Sequence, residues 1–204
     1  MKRKFTIVLL FHYLYYSKLL ISKLFSTFYC RTLFRILGIT LKEGSEFFGI
    51  PLVYIHPGSK VTIGKNIKIR TSKISNLIGI KQRTTISTIS EHAEIKIGDN
   101  CGFTAVVIGA AQSIVIGNNV LVGSNVLITD TDWHSLKGVN RELNFAINKP
   151  VNISDNVFIG YSSTILKGVS IGKNSVIGAN SVVTKDIPAD VIAAGNPCKV
   201  LKPL

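Results

Sequence analysis

The chain is short of the residues from which disulfide frameworks and metal centres are built. Its three cysteines, Cys30, Cys101 and Cys198, are far apart and odd in number. That excludes a secreted disulfide scaffold and any paired zinc-ligand spacing, and points to a reducing cytoplasm. Acidic residues are scarce as well: 11 Asp and Glu against 24 Lys and Arg leave a formal charge of +13. Such a surplus suits nucleic acid, an anionic lipid surface or a phosphorylated small molecule. Dense basic runs with interleaved aromatics are absent from the C-terminal two thirds, where lysines come singly at turns, as at Lys65, Lys173 and Lys185; nucleic acid is therefore not expected as a partner. Only 17% of residues are charged while 46% are hydrophobic, which argues against disorder and towards an extensive core or membrane contact. At 204 residues the chain fits one folded unit, such as a solenoid with a small appendage.

Two features are also missing at the amino terminus. After Met1-Lys2-Arg3-Lys4, the stretch Phe5 to Tyr16 is nearly all apolar, yet no small-residue cleavage site follows as in a signal sequence. A spanning helix needs about 20 mostly apolar residues, and Lys18, Lys23, Arg31 and Arg35 interrupt the run to Leu37. Residues 1 to 40 are expected to form one or two helices lying on a surface. That surface is either the inner face of a membrane, reached through residues 5 to 37, or the chain's own β-domain or a neighbouring subunit.

What the sequence has in abundance is an aliphatic residue followed by glycine: Ile63-Gly64, Ile97-Gly98, Ile108-Gly109, Ile116-Gly117, Val122-Gly123, Ile159-Gly160, Ile171-Gly172 and Ile177-Gly178. In the last third an aliphatic side chain falls at every sixth position, at Ile153, Ile159, Ile165, Ile171, Ile177 and Val183; Ile116, Val122 and Ile128 keep the same step. A helix repeats near 3.6 residues and a strand at 2, so a strict six implies a short strand plus a corner, repeated, with three units closing a triangular coil. Gly117-Asn118-Asn119, Gly172-Lys173-Asn174 and Gly178-Ala179-Asn180 read as corners, where Gly and Asn tolerate positive φ or close backbone approach. Ser124, Ser163, Ser175, Ser181 and Thr184 read as small stacking positions, since no nucleophile elbow surrounds them.

These hexads resemble those of the hexapeptide-repeat acetyltransferases, over roughly Tyr54 to Leu204. The resemblance implies a mainly β fold, a left-handed parallel β-helix, here with an N-terminal helical extension (residues 1 to 40 before 41 to 204). The frame is cleanest after Val151 and loosest between Ile69 and Glu94, where Ile74, Ile78, Ile80, Ile86 and Ile89 suggest irregular corners.

The frame breaks once at length, between Ile128 and Ile153, and an interruption of a regular solenoid is where a functional loop is expected, here at about 130 to 150. It holds Asp130-Thr131-Asp132-Trp133-His134-Ser135 and then Asn140-Arg141-Glu142. If the strand through Ile128 stays extended, Asp130, Asp132 and His134 share one side. Carboxylates beside an imidazole raise its basicity and fix its tautomer, which suits a general base. His12, His56 and His92 have no such company and read as ordinary surface or loop residues.

His134 matches the place where similar sugar and maltose acetyltransferases carry their catalytic histidine. The resemblance implies direct transfer from acetyl-CoA to an acceptor hydroxyl, with Asp132 orienting and Asp130, Trp133 and Arg141 at the acceptor. Trp133 has loop packing as its equal alternative. For the donor it implies Gly160 and Tyr161 beside the pantetheine, Ala179, Thr184 and Lys185 in the next coils, and Lys199 and Lys202 near the nucleotide phosphates; no metal is implied. Relatives are homotrimers with the donor channel between subunits, and the N-terminal extension resembles that of bacterial polysaccharide O-acetyltransferases. The chain departs from the pattern in carrying Phe103-Thr104-Ala105 where close relatives have an asparagine about thirty residues before the histidine, and Phe158 where they often have tryptophan. The oxyanion donor and the acceptor are thereby open, and an amino-sugar N-acetyltransferase is the rival expectation. A three-histidine zinc site, as in γ-type carbonic anhydrases, finds no partners for His134 at coil spacing, and a non-catalytic scaffold is the remaining alternative.

Overall fold

The structure is a computed structural model that describes residues 2–135 and 146–204. A single helix, α1 (Lys2–Ile36), leads into a three-sided parallel β-helix. Its first coil is β1 (Thr40–Leu41), β2 (Glu46–Phe48) and β3 (Leu52–Ile55), and the second is β4 (Lys60–Ile63), β5 (Lys68–Arg70) and β6 (Thr85–Thr88). The third is β7 (Glu94–Ile97), β8 (Gly102–Thr104) and β9 (Val107–Ala110), and the fourth is β10 (Ser113–Ile116), β11 (Leu121–Val122) and β12 (Leu127–Thr129). The fifth is β13 (Val151–Ile153), β14 (Phe158–Ile159) and β15 (Thr164–Ile165), and the sixth is β16 (Ser170–Ile171), β17 (Val176–Ile177) and β18 (Val182–Val183). β19 (Val191–Ala194) continues the face of β17, and β20 (Lys199–Pro203) turns back antiparallel on it to end the stack.

The six-residue step is the coil geometry made visible. Ile153, Ile159, Ile165, Ile171, Ile177 and Val183 are all at most 2% exposed, because each lies at an inward position of its strand. Register places Ile116 over Ile153, Val122 over Ile159 and Ile128 over Ile165, so the columns run unbroken past the long loop. Ser163, Ser175 and Ser181 are fully buried in a second inward column, their hydroxyls donating to the Gly178, Pro188 and Gly178 carbonyls at 2.9, 2.7 and 2.7 Å. A hydroxyl so engaged is structural.

Glycine and asparagine divide the corner's work between them. From the second coil on, the residues with positive φ at the first corner are Asn66, Asn100, Asn119, Asn156 and Asn174, and their amides form a ladder, as from Asn156 to Asn174 at 3.0 Å. The preceding glycines serve close approach instead: a Cβ on Gly98 would lie 2.5 Å from the Gly117 carbonyl oxygen.

The solenoid begins earlier than the glycine hexads indicate. Leu41, Phe47 and Val53 pair with Ile63, Ile69 and Ile86, extending the same columns back to Thr40. The looseness after Ile69 is an excursion between β5 and β6, carrying a short 3-10 turn at Lys73–Ser75; Ile80 and Ile86 return to the interior while Leu77 and Ile78 are exposed. The helix α1 packs on the open end of the first coil, burying Cys30 and Phe34, the latter edge-to-face with Phe47 at 5.3 Å.

Candidate active site

The loop that interrupts the frame leaves the fourth coil after β12 and returns into β13. Its two limbs pair at the base: Thr131 bridges Asn148 antiparallel, the Asp132 amide donates to the Ile147 carbonyl at 3.2 Å, and the Lys149 amide to the Asp130 carbonyl at 2.8 Å. His134 stands exposed on this stem. Arg141, with Asn140 and Glu142, lies outside the described residues.

Asp130 is not an acceptor ligand. It is fully buried, and its carboxylate takes the amides of Ala111, Gln112 and Ser113 at 2.7, 2.8 and 2.6 Å. Those amides belong to the turn from β9 into β10, and the side chain from the coil above satisfies them. Burial pushes the carboxyl upward and the three amides pull it down, with burial the larger influence.

The expected alternation also fails, for a local reason. Trp133 sits in the left-handed region at φ 63°, so the chain is not extended through it. Its indole N–H donates to the Thr129 hydroxyl at 3.0 Å, and a Cβ on Gly109 would meet its ring at 2.7 Å. The half-buried ring packs on the solenoid wall, as the loop-packing alternative has it.

Asp132 faces a residue that the hexad reading passed over. Lys167 Nζ lies 2.5 Å from Asp132 Oδ1, with side chains 23% and 16% exposed. Asp132 Oδ2 is buried and has no hydrogen-bond partner among the described residues. The signal for Lys167 was present in register: Ile165 lies over Ile128, so the residues following Ile165 lie above those following Ile128, where the loop departs.

The remaining candidates fall on three parts of the solenoid. Thr184 and Lys185 follow β18 on the same edge as Lys167, one coil further on, since Ile165 pairs with Val183. Gly160, Tyr161 and Ala179 lie on the neighbouring edge, at the corner that precedes β15 and β18. A Cβ on Gly160 would lie 2.6 Å from the Ala179 amide nitrogen, so coil stacking by itself requires glycine there. Lys199 and Lys202 are exposed on β20. Lys81, from the excursion after β5, was also unforeseen: its ammonium lies 5.8 Å from the centre of the Tyr161 ring. A hydrogen bond from Lys81 holds the Tyr161 phenol below its ordinary range.

Thr104 and Ala105 occupy the position of the missing asparagine. Ala105 has φ 50°, a conformation asparagine tolerates better, and the Thr104 hydroxyl accepts from the Asn76 side chain at 3.3 Å.

Residues 150–185 match the family model described as the hexapeptide repeat of succinyl-transferase. The galactoside O-acetyltransferase of Lactococcus lactis is 51% identical over 87 residues, covering 43% of this chain and 42% of that protein. A solved galactoside acetyltransferase in complex with coenzyme A is 30% identical, with a TM-score of 0.52, and the match covers 80% of this chain and 64% of that one. A hexapeptide-repeat-containing acetyltransferase of Vibrio cholerae, solved with acetyl coenzyme A, is 27% identical with a TM-score of 0.50, over 81% of this chain and 70% of that one. The fold is that of the hexapeptide-repeat acetyltransferases. The chain spans about half the length of the curated relatives it matches.

Proposed function

We propose that the chain is an acetyl-CoA-dependent O-acetyltransferase acting on a sugar hydroxyl in the assembly of capsule, lipopolysaccharide or exopolysaccharide. The observation that carries this reading is the exposed His134 on the loop stem beside the Asp132–Lys167 pair. It is supported by the similarity to galactoside O-acetyltransferases.

In this reading the His134 imidazole takes the proton of the acceptor hydroxyl as its oxygen attacks the thioester carbonyl. Collapse of the tetrahedral adduct breaks the C–S bond, and the imidazolium returns the proton to the departing thiolate. Asp132 acts through the stem, held by Lys167. Lys185, Lys199 and Lys202 offer ammonium groups to the phosphates of the donor, while Tyr161, Ala179 and Thr184 line its approach. The active form is a homotrimer with the donor between neighbouring solenoids, located in the cytoplasm. Residues 5 to 37 bring it to the inner face of the cytoplasmic membrane, where a lipid-linked acceptor resides.

The test is thiol release from acetyl-CoA across a panel of sugars and amino sugars, comparing wild type with His134→Ala. Removing a general base lowers turnover by about a hundredfold or more. Equal activity of the variant on every acceptor would sink the assignment, and activity confined to amino groups would replace it with N-acetyl transfer. That second reading draws on Thr104 and Ala105 standing where the asparagine is missing.

A further inference from the structure

Between Tyr15 and Thr27 the helix α1 docks on the solenoid through polar groups, ahead of the apolar seat of Cys30 and Phe34. Lys23 pairs with Glu46 at 2.9 Å, the Ser26 and Thr27 hydroxyls accept the Gly49 and Phe47 amides at 3.2 and 3.0 Å, and the Tyr15 hydroxyl donates to the Ile74 carbonyl at 2.6 Å. Facing away are Ile21, Leu24, Phe25 and Phe28, 62 to 75% exposed, and the helical period continues that face through Ile7, Leu10 and Leu14. A helix on a protein surface in water is arranged the other way round.

We infer that this outward face is a membrane-binding surface that seats the chain in the plane of an anionic bilayer. The inference rests on the membrane contact proposed above for residues 5 to 37, and names its orientation and its lipid. Charge complementarity selects the lipid: Lys18 and Arg35 are exposed along the same helix, on a chain of net charge +13. Their stems reach from an apolar surface to headgroup phosphates. The width of the face selects lipid over a second copy of the helix. From Leu20 through Leu24, Phe28 and Phe25 to Tyr29 it spans about half the circumference, broader than the narrow seam of a coiled coil.

Thr6–Ile36 is long and apolar enough to cross a bilayer by length and composition, but the docking contacts exclude that orientation. The contacts described above reach back to Tyr15, and the part of the helix ahead of it, Lys2–Leu14, measures about 20 Å at 1.5 Å per residue. The hydrocarbon core is about 30 Å thick. Spanning it would require breaking the contacts of Tyr15 and of Lys23 to Thr27. The excursion tied to α1 at Ile74 supplies a second insertion point, since Leu77 and Ile78 at its tip are 89% and 59% exposed.

The experiment is flotation of the full chain with phosphatidylcholine vesicles, with and without phosphatidylglycerol. It compares wild type with Ile21→Ser/Phe28→Ser and with Leu77→Ser/Ile78→Ser, whose exposed positions leave folding intact, as an unchanged thermal midpoint checks. Wild type is expected to float with the anionic vesicles and to be stripped by alkaline carbonate. The first variant should lose roughly tenfold or more in partitioning, and the second should lose less. Equal flotation of the outward-face variant overturns the inference, as does resistance of wild type to carbonate. So does failure of wild type to float together with a variant-dependent change in oligomeric mass, which would assign the face to a second copy. Thiol release with a water-soluble sugar, measured on the same preparations, reports on the transferase reading separately: an inactive wild type that floats sinks that reading and upholds this one.

Discussion

Lys167 and Asp132 lie on successive coils and meet at 2.5 Å, so the stem that presents His134 is held from the coil above it. The pair is mostly shielded from solvent, and removing one partner leaves the other's charge underserved. Lys167→Met should destabilise the chain by about 1 to 3 kcal/mol in urea unfolding and lower turnover more than it raises the acceptor KM. Asp132→Asn combined with it should cost less than the sum of the two, the signature of a direct coupling.

Asp130→Ala removes the acceptor of three backbone amides at once, that of Ala111 among them buried. A loss of about 2 to 4 kcal/mol is expected. Asn in its place should recover only part, because its NH2 group faces amide donors. Urea titration of both variants decides this; a loss under 1 kcal/mol for Ala would show the amides to be satisfied otherwise.

How much of this was legible in the sequence depended on whether the feature repeats. The columns through Ile153 to Val183 could be read because every coil imposes the same inward position on its strands. The first coil falls within the expected 41 to 204 unit but outside the aliphatic-glycine pairs, because Leu41, Phe47 and Val53 keep the six-residue step without a glycine directly after them. Lys167 and Lys81 act on residues one or more coils away, and spacing along one coil says nothing of what the next brings alongside. Asp130 looked functional for a reason that holds of many buried carboxylates: a charged residue in an apolar frame needs partners, and its partners were backbone amides. His134 was singled out by the break in the frame, and the structure places it exposed on the loop stem.

Gly98→Ala isolates the role of close approach, since Gly98 does not need positive φ. The added methyl would lie 2.5 Å from the Gly117 carbonyl oxygen, and backbone has to move to admit it. A thermal midpoint lowered by several degrees is expected, corresponding to about 1 to 3 kcal/mol. Gly79→Ala is a useful contrast: it has space for the methyl but φ +93°, so its cost is conformational.

Burial pushes the Cys30 thiol up to about 12 and that of Cys101 to about 11, from an ordinary 9.0. A thiol whose folded value is raised favours the native state below the unfolded value and loses that advantage as pH rises towards the folded one. Stability should therefore decline from about pH 9 upward, and a thiol reagent at pH 8 should label Cys30 and Cys101 far more slowly in the native than in the urea-unfolded chain. Rapid native labelling of Cys30 would contradict its burial under α1.

An absorbance titration should show a Tyr161 step below the ordinary phenol range, and Lys81→Met should move that step upward, because the lysine stabilises the phenolate. A titration unchanged by the substitution would remove the Lys81 contact from the description.

The hydroxyls of Ser26 and Thr27 carry a consequence for assembly. A parallel β-helix has an unpaired rim at each end, and the rim of β2 would otherwise offer its amides to any extended strand, including the last coil of another molecule. By accepting the Gly49 and Phe47 amides, α1 occupies that rim. A chain cut before Ile39 would uncover it together with Phe47, and head-to-tail growth into filaments would become available to a protein that now stops at six coils.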